Sequence, residues 1–256
     1  MLQPLNKLRD ETIVRPRPRP VPVIVDSRAG MPVIITALDA SADVFIEVER
    51  AVESKARFLL IKRAFDIFVA SAALIALSPL LLLTAAAIAL TSKGPVLFKQ
   101  TRFGRDHLPF TLYKFRSMYV DRQDLSGIAH TVEDDPRVTS VGRFIRRWYI
   151  DELPQIINVL KGDMAIVGPR AQVMGMRAVG VDYEDLVPNY RARHAVRPGI
   201  TGLAQVRGYR GEIRSAEQAI ARVDADLEYI RRATVWLDVK IVALTVPSVI
   251  FGSMDC

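Results

Sequence analysis

IFVASAALIALSPLLLLTAAAIALTS, Ile67 to Ser92, runs for 26 residues without a charged side chain, in a chain that is 25% charged. A helix needs about 20 apolar residues to cross a bilayer, so this stretch is long enough to enter one. Ser78-Pro79 stands near its middle. Proline lacks the N–H that a helix interior uses and crowds the preceding turn, so a kink or break is expected there. The 11 residues before the pair and the 13 after it each cover roughly 16–20 Å, less than a hydrocarbon core of about 30 Å. Lys55, Arg57, Lys62 and Arg63 precede the stretch, and Lys93, Lys99, Arg102 and Arg105 follow it. A helix that crosses once should be positive mainly on its cytoplasmic side. Positive charge on both flanks therefore favours a re-entrant helix-break-helix, in and out on one face, over a kinked transmembrane helix. The Ser78 hydroxyl is placed to serve backbone that the proline leaves unpaired.

The chain as a whole has the balance of one membrane element plus one globular part. It is 50% hydrophobic with a mean hydropathy of +0.17. A net charge of +7 favours anionic partners: nucleic acid, lipid headgroups or phosphorylated substrates. The single cysteine, Cys256, excludes an internal disulfide, and His107, His130 and His194 show no metal-ligand spacing. Met1 to Pro20 has no apolar core of a signal peptide.

Residues 1–41 read as a flexible tail, with RPRPRPVPV (Arg15 to Val23) favouring extended polyproline II. Val23 to Leu38 is a candidate for a short strand. From Ser41 the pattern is helical, with Val44, Ile46, Val48, Val52, Phe58 and Leu59 among charged residues. One helix is expected from about Ala42 through Lys62-Arg63 into the apolar stretch, so that residues 42–93 form the membrane element and 94–256 the catalytic domain. Gly94 to Met118 suggests two strands about a turn at Gly104-Arg105-Asp106. Asp121 to Asp135 reads as an acidic loop, followed by a helix from about Arg137 that includes Trp148. Ala216 to Arg232 reads as a helix with Ala219, Val223, Leu227 and Ile230 on one face. Val235 to Gly252 is apolar but interrupted by Asp238, Lys240 and Pro247, which favours an interfacial helix anchored by Trp236 over a second span. The fold class is thus mixed α/β, mainly helical.

DELPQIINVLKGDMAIVGPR, Asp151 to Arg170, carries the most chemistry. Pro154 marks a helix start, which puts Asp151 and Glu152 at its N-terminus. Carboxylates there cap free N–H groups and complement the dipole, an effect of ~1 kcal/mol, so the pair alone says little about catalysis. Its neighbours add weight: Arg143, Arg146 and Arg147 precede it, and Lys161 and Arg170 follow. Carboxylates among cations suit Mg²⁺ binding against a diphosphate, or attack on phosphorus. A second cationic loop runs from Pro188 to Arg214, with six arginines and one acid. Its Gly199, Gly202, Gly208 and Gly211 permit close backbone approach, and a lipid-facing patch fits its charge equally well.

These motifs in this order resemble the monotopic phosphoglycosyl transferases, the bacterial sugar transferase family. The resemblance covers about Phe58 to Phe251. It rests on KRAFD (Lys62–Asp66), Ser78-Pro79, YKFRSM (Tyr113–Met118), DDPRVTSVGRFIRR (Asp134–Arg147), DELPQIINVLKGDMAIVGPR, RPGITGLAQV (Arg197–Val206), DLEYI (Asp226–Ile230) and WLDVKI (Trp236–Ile241). Ala165 and Ala171 stand where the family often has serine and proline.

The resemblance implies a re-entrant helix with both ends cytoplasmic, on the bacterial inner membrane. It implies transfer of a sugar-1-phosphate from a UDP-sugar to polyprenyl (undecaprenyl) phosphate, with UMP released and Mg²⁺ as cofactor. Asp151 matches the family's nucleophile and is the expected metal ligand, and Glu152 completes the catalytic pair. By motif position, Lys114, Arg116, Arg170 and Arg197 are candidates for substrate phosphate, and Arg146 for polyprenyl phosphate. The run Gly208 to Ile241 resembles members that begin exopolysaccharide synthesis with a hexose, which favours UDP-glucose, then UDP-galactose. The implied partners are the UDP-sugar, polyprenyl phosphate and anionic lipid headgroups; a homodimer is compatible with the sequence. The alternative is a membrane-tethered basic scaffold without catalysis. No nucleic-acid partner is expected, since the basic runs lack interleaved aromatic residues and any recognised motif.

Overall fold

Two helices, α1 (Ala37–Glu53) and α2 (Ala56–Thr91), open the part of the chain that the computed structural model describes, which is residues 37–122, 134–178, 180–211 and 213–250. The Arg/Pro-rich segment and most of the acidic loop lie outside those residues. The single helix expected from Ala42 onward is two helices, separated at Ser54-Lys55. Lys55 leaves the helical path because its Nζ donates to the carbonyls of Ile230, at 3.2 Å, and Arg231. These belong to the last turn of a distant helix, where a cation meets the negative end of the dipole.

The expected break at Ser78-Pro79 is also corrected: α2 runs for 36 residues with Pro79 inside it. A residue 79 with an N–H would have served the carbonyl of Ile75, and Ser78 Oγ donates to that carbonyl at 2.8 Å. The serine replaces the bond that proline removes, so the helix continues.

One face of α2 packs on the protein along nearly its whole length. Lys62, Asp66, Ala70, Leu74, Leu77, Leu81, Ala85 and Ile88 follow one another at steps of three and four on that face. The other face exposes Phe68, Ile75, Leu82, Leu83 and Leu90. At about 1.5 Å per residue the contact face extends roughly 39 Å.

Both ends of the stretch are tied to the same body. At the first, Arg63 donates to the carbonyls of Val159 and Leu160 at 2.6 and 3.0 Å. At the second, Arg116 donates to the carbonyls of Pro95 and Ser92 at 2.6 and 2.7 Å and to Ser92 Oγ at 2.8 Å.

The strands β1 (Leu97–Phe103) and β2 (Pro109–Phe115) form an antiparallel hairpin, turning through Arg105–His107 as the sequence suggests. After it come α3 (Ser140–Arg147), capped by Thr139 Oγ1 accepting from the Gly142 N–H at 2.8 Å, and α4 (Gln155–Lys161). β3 (Ala165–Val167) is followed by the two-residue pair β4 (Arg177–Ala178) and β5 (Val181–Asp182), then α5 (Tyr183–Leu186). β6 (Gly199–Thr201) pairs in parallel with β3. A side chain at Gly199 would come within 2.1 Å of the Gly168 nitrogen, so this close approach requires glycine.

The chain ends in α6 (Leu203–Val206), α7 (Ala216–Arg232) and α8 (Val235–Ile250). Ala219, Val223, Leu227 and Ile230 of α7 are buried, as their spacing predicts, and form a core with Val48 of α1 and Ile241 of α8. In α8, Trp236 is 79% exposed while Asp238 is 1% exposed. The interrupting acid therefore faces inward and is not a solvated interfacial charge.

Candidate active site

Asp151 and Glu152 sit in a 3-10 turn, Ile150–Glu152, immediately before α4. Tyr149, which leads into the turn, has φ 53°, a conformation unusual for a residue with a side chain. Neither carboxylate caps α4. Glu152 accepts two bonds from Arg170, at 2.6 and 3.2 Å, and one from Lys114 at 2.8 Å. Asp151 makes no side-chain hydrogen bond or ion pair with any described residue, although it is only 8% exposed. The capping explanation for the pair thus does not apply.

The arms of the site are positioned from opposite sides of α4. Asn158 of α4 donates to the Thr111 carbonyl at 2.6 Å and accepts from the Tyr113 N–H at 3.0 Å. This clasp fixes β2 against α4 and brings Lys114 to Glu152. Arg170 arrives from the end of β3, and its own carbonyl is held by Arg193 at 2.8 Å. Arg146 enters from the last turn of α3, where it donates to Ser117 Oγ at 3.4 Å.

Burial and close cations act oppositely on the two acids. For Glu152, burial opposes ionisation, but Arg170 and Lys114 hold its carboxyl well below the usual range. For Asp151, burial dominates and raises the carboxyl; Glu152 adds to the rise, while Lys114, Arg146 and Arg170 resist it. The pair therefore comprises one clamped carboxylate held toward its ionised form and one unengaged carboxylate of raised basicity.

Two predicted phosphate ligands are elsewhere. Arg116 is 2% exposed, and its guanidinium is taken up by the carbonyls at the end of α2. Arg197 donates through Nε to the Gly162 carbonyl at 2.8 Å, beside Arg63 at the opposite end of α4 from the acids. Motif order does not reveal which helix end a side chain reaches. The second cationic loop is likewise occupied internally: Arg191, Arg193 and Arg207 pair with Glu184, Asp226 and Glu228. Gly199 and Gly202 pack on the backbone of Gly168. Three of the six arginines of that loop are thus engaged by acids of the same domain.

Arg102, a flanking charge in the sequence, belongs beside the site in the structure. It lines a small crevice with Lys114, Gln155 and Arg170. Hairpin register could have found it: Arg102 opposes Phe110 and Phe98 opposes Lys114, so the period of two puts both cations on one face.

Among the described residues, no group of three His, Cys, Asp or Glu side chains forms a metal cage. Mg²⁺ does not need one, since it is commonly held by one or two carboxylates together with substrate phosphates. The unengaged Asp151 fits that role.

A buried acid pair ringed by Lys114, Arg146, Arg170 and Arg102 defines a centre for phosphate-group chemistry. The chain belongs to the bacterial sugar transferase family, whose model matches residues 56–252. It is 52% identical over 190 residues to an exopolysaccharide production protein of Rhizobium leguminosarum bv. phaseoli, covering 74% of this chain and 95% of that protein. It is 50% identical over 187 residues to the UDP-glucose:undecaprenyl-phosphate glucose-1-phosphate transferase of Escherichia coli, covering 73% of this chain and 39% of that enzyme. Identity to the protein of the same name from Caulobacter vibrioides is 49% over 190 residues, with 74% and 69% covered. The chain thus spans most of the first relative but well under half of the Escherichia coli enzyme.

Proposed function

We propose that this chain transfers a hexose-1-phosphate from a UDP-sugar to undecaprenyl phosphate, with release of UMP, as a membrane-associated sugar-phosphate transferase that begins exopolysaccharide synthesis. Its carrying observation is the contrast within the acid pair: Glu152 is locked by Arg170 and Lys114, whereas Asp151 is buried and unengaged. In the proposed reaction an oxygen of Asp151 attacks the β-phosphorus of the UDP-sugar. The bond to the bridging oxygen breaks, UMP leaves with that electron pair, and a phosphosugar–Asp151 intermediate remains. An oxygen of undecaprenyl phosphate then attacks the same phosphorus and displaces Asp151. Lys114 and Arg170 are placed to hold phosphate oxygens, and Glu152 to fix both cations. Arg146, on α3, is the proposed contact for the polyprenyl phosphate. Asp151, with the substrate's phosphate oxygens, would hold Mg²⁺. When bound, that ion would offset the diphosphate charge and favour the departure of UMP. Glucose is the favoured sugar, supported by the names of the Escherichia coli and Caulobacter relatives, with galactose next.

The protein in detergent, given Mg²⁺, undecaprenyl phosphate and a panel of UDP-sugars, is expected to release UMP with UDP-glucose at the highest rate. Release with no sugar overturns the proposal.

The membrane seating proposed is re-entrant only in the sense that both ends of the unbroken α2 stay on the cytoplasmic face of the inner membrane. Its support is that α2 lies along one body from Lys62 to Ile88, which a helix crossing to the far side would leave. The exposed apolar faces of α2 and α8 would enter the lipid. Tags at the N-terminus and after Cys256 are therefore expected to be cytoplasmic in the wild type. Opposite accessibility in the wild type overturns the re-entrant reading.

A further inference from the structure

The crevice beside Glu152 is lined by three cationic side chains, Arg102, Lys114 and Arg170. Lys114 and Arg170 bond to Glu152, and Arg146 acts on Asp151. Arg102 is a fourth cation in the same field and has no carboxylate of its own. All its hydrogen bonds go to neutral oxygens: Nε and Nη2 donate to Gln100 Oε1, and Nη1 donates to the Ala171 carbonyl at 3.2 Å. These bonds fix the guanidinium in place without neutralising it. Its environment penalises the charge, through burial first and the like charge of Arg170 second, which brings its pKa down to about 10. The protein thus maintains, at a cost, an oriented cation that no acid neutralises.

The same crevice contains a second unsatisfied group. Gln155, the first residue of α4, lines it and is 3% exposed. Its side-chain amide forms no hydrogen bond with any described residue. Its polar atoms are not among the fully enclosed ones that lack a partner, so they open to the crevice, where a ligand can reach them. Arg102, Lys114 and Arg170 line the crevice together, an arrangement that suits the oxygens of a diphosphate ester.

We propose that Arg102 is a direct contact for the diphosphate of the sugar nucleotide, with Gln155 bonding to the same substrate. This rests on the transferase reading above and adds a subsite to it. Arg170 and Arg102 approach the diphosphate from β3 and β1, while Lys114 holds the side nearer Asp151. The polyprenyl phosphate, held through Arg146 on α3, makes no contact with Arg102.

The experiment measures UDP binding by titration calorimetry on the intact, detergent-purified protein with Mg²⁺ present, together with KM for UDP-glucose and for undecaprenyl phosphate. Loss of a charge-assisted hydrogen bond should weaken UDP binding by about 10- to 100-fold in Arg102→Gln, with KM for UDP-glucose rising in parallel. KM for undecaprenyl phosphate should stay within about twofold. Arg102→Lys retains the charge but not the fork, so it should fall between the wild type and Arg102→Gln. Gln155→Ala should raise KM for UDP-glucose alone. A guanidinium that only ties β1 to Ala171 would lower kcat and the melting temperature with UDP affinity unchanged, and that result overturns the proposal. If Arg102→Gln does not fold, Arg102→Lys and Gln155→Ala decide, and wild-type UDP affinity in both overturns it. A wild type that neither binds UDP nor releases UMP instead removes the transferase reading itself.

Discussion

Asp151→Asn is expected to abolish UMP release, by roughly 10³-fold or more, while raising the melting temperature. Asparagine has nearly the shape of aspartate, so the turn before α4 should persist. It cannot attack phosphorus, so no covalent intermediate can form. The stability gain follows from the same geometry. Burial raises the Asp151 carboxyl, and Glu152 adds repulsion; the attraction of Lys114, Arg146 and Arg170 does not offset both. Folding therefore favours the protonated form. Stability from this group is fully present below the unfolded-state pKa and is lost as pH rises through the higher folded-state pKa. As pH rises above the unfolded-state carboxyl range the wild type loses this stability, whereas the asparagine variant has nothing to lose. The expected rise is about 2–4 °C for each kcal/mol recovered, and it should shrink as pH falls through the carboxyl's range. In the wild type, UMP release should fall over the same acid range as Asp151 is protonated. Full activity in Asp151→Asn excludes Asp151 as the nucleophile. Lost activity with a lower melting temperature at neutral pH would instead mean that Asp151 stabilises the fold.

Local patterns in the sequence marked the elements well where one face met the core. The spacing of Ala219, Val223, Leu227 and Ile230 located α7 because all four are buried. The hairpin was legible because its turn residues lie between alternating apolar positions. What stayed hidden were side chains that reach to another element. Lys55 interrupts a helical pattern for the sake of carbonyls 175 residues away. Arg116 and Arg197 lie in motifs rich in phosphate-binding residue types, yet their donors satisfy the ends of α2 and α4. Arginine suits both a phosphate and a row of free carbonyls, so residue type does not separate the two uses. Ser78 shows the same limit locally, since a serine beside a proline could end the helix or repair it, and here Oγ reaches Ile75 and repairs it. The acid pair was legible as a pair, but its division of labour was not. That division depends on which carboxylate Arg170 and Lys114 reach, a matter of how β2 and β3 dock on α4.

Lys62→Ala should destabilise the protein by about 3–5 kcal/mol, the usual cost of leaving a buried charge without its partner. Lys62 stands near the entrance of the apolar stretch and is 8% exposed. Its Nζ lies 2.7 Å from Asp238 of α8 and 3.4 Å from Asp66 one turn along α2. Asp66 also accepts from the Ile166 N–H of β3 at 3.1 Å, and Asp238 accepts from the Tyr229 hydroxyl of α7 at 2.7 Å. A single cation thus serves two buried carboxylates and joins α2 to the strand before Arg170 and to the last two helices. Its removal leaves both acids uncompensated, where water reaches neither. For a chain of this size the loss corresponds to a fall of roughly 6–20 °C in melting temperature. A surface ion pair would contribute about 0–1 kcal/mol, so the two cases are readily distinguished. The argument can be pressed further with Lys62→Met combined with Asp66→Asn and Asp238→Asn. Neutral amides can still accept from Ile166 and Tyr229, while methionine fills the stem of the lysine. If the loss in Lys62→Ala comes from stranded charge, the triple variant should recover most of the melting temperature, with a large non-additive coupling among the three sites. If it stays as unstable as Lys62→Ala, the lysine acts through bonds that only an ammonium can make. If Lys62→Ala melts within about 2 °C of the wild type, the triad does not hold α2 to the domain, since that shift is below 1 kcal/mol.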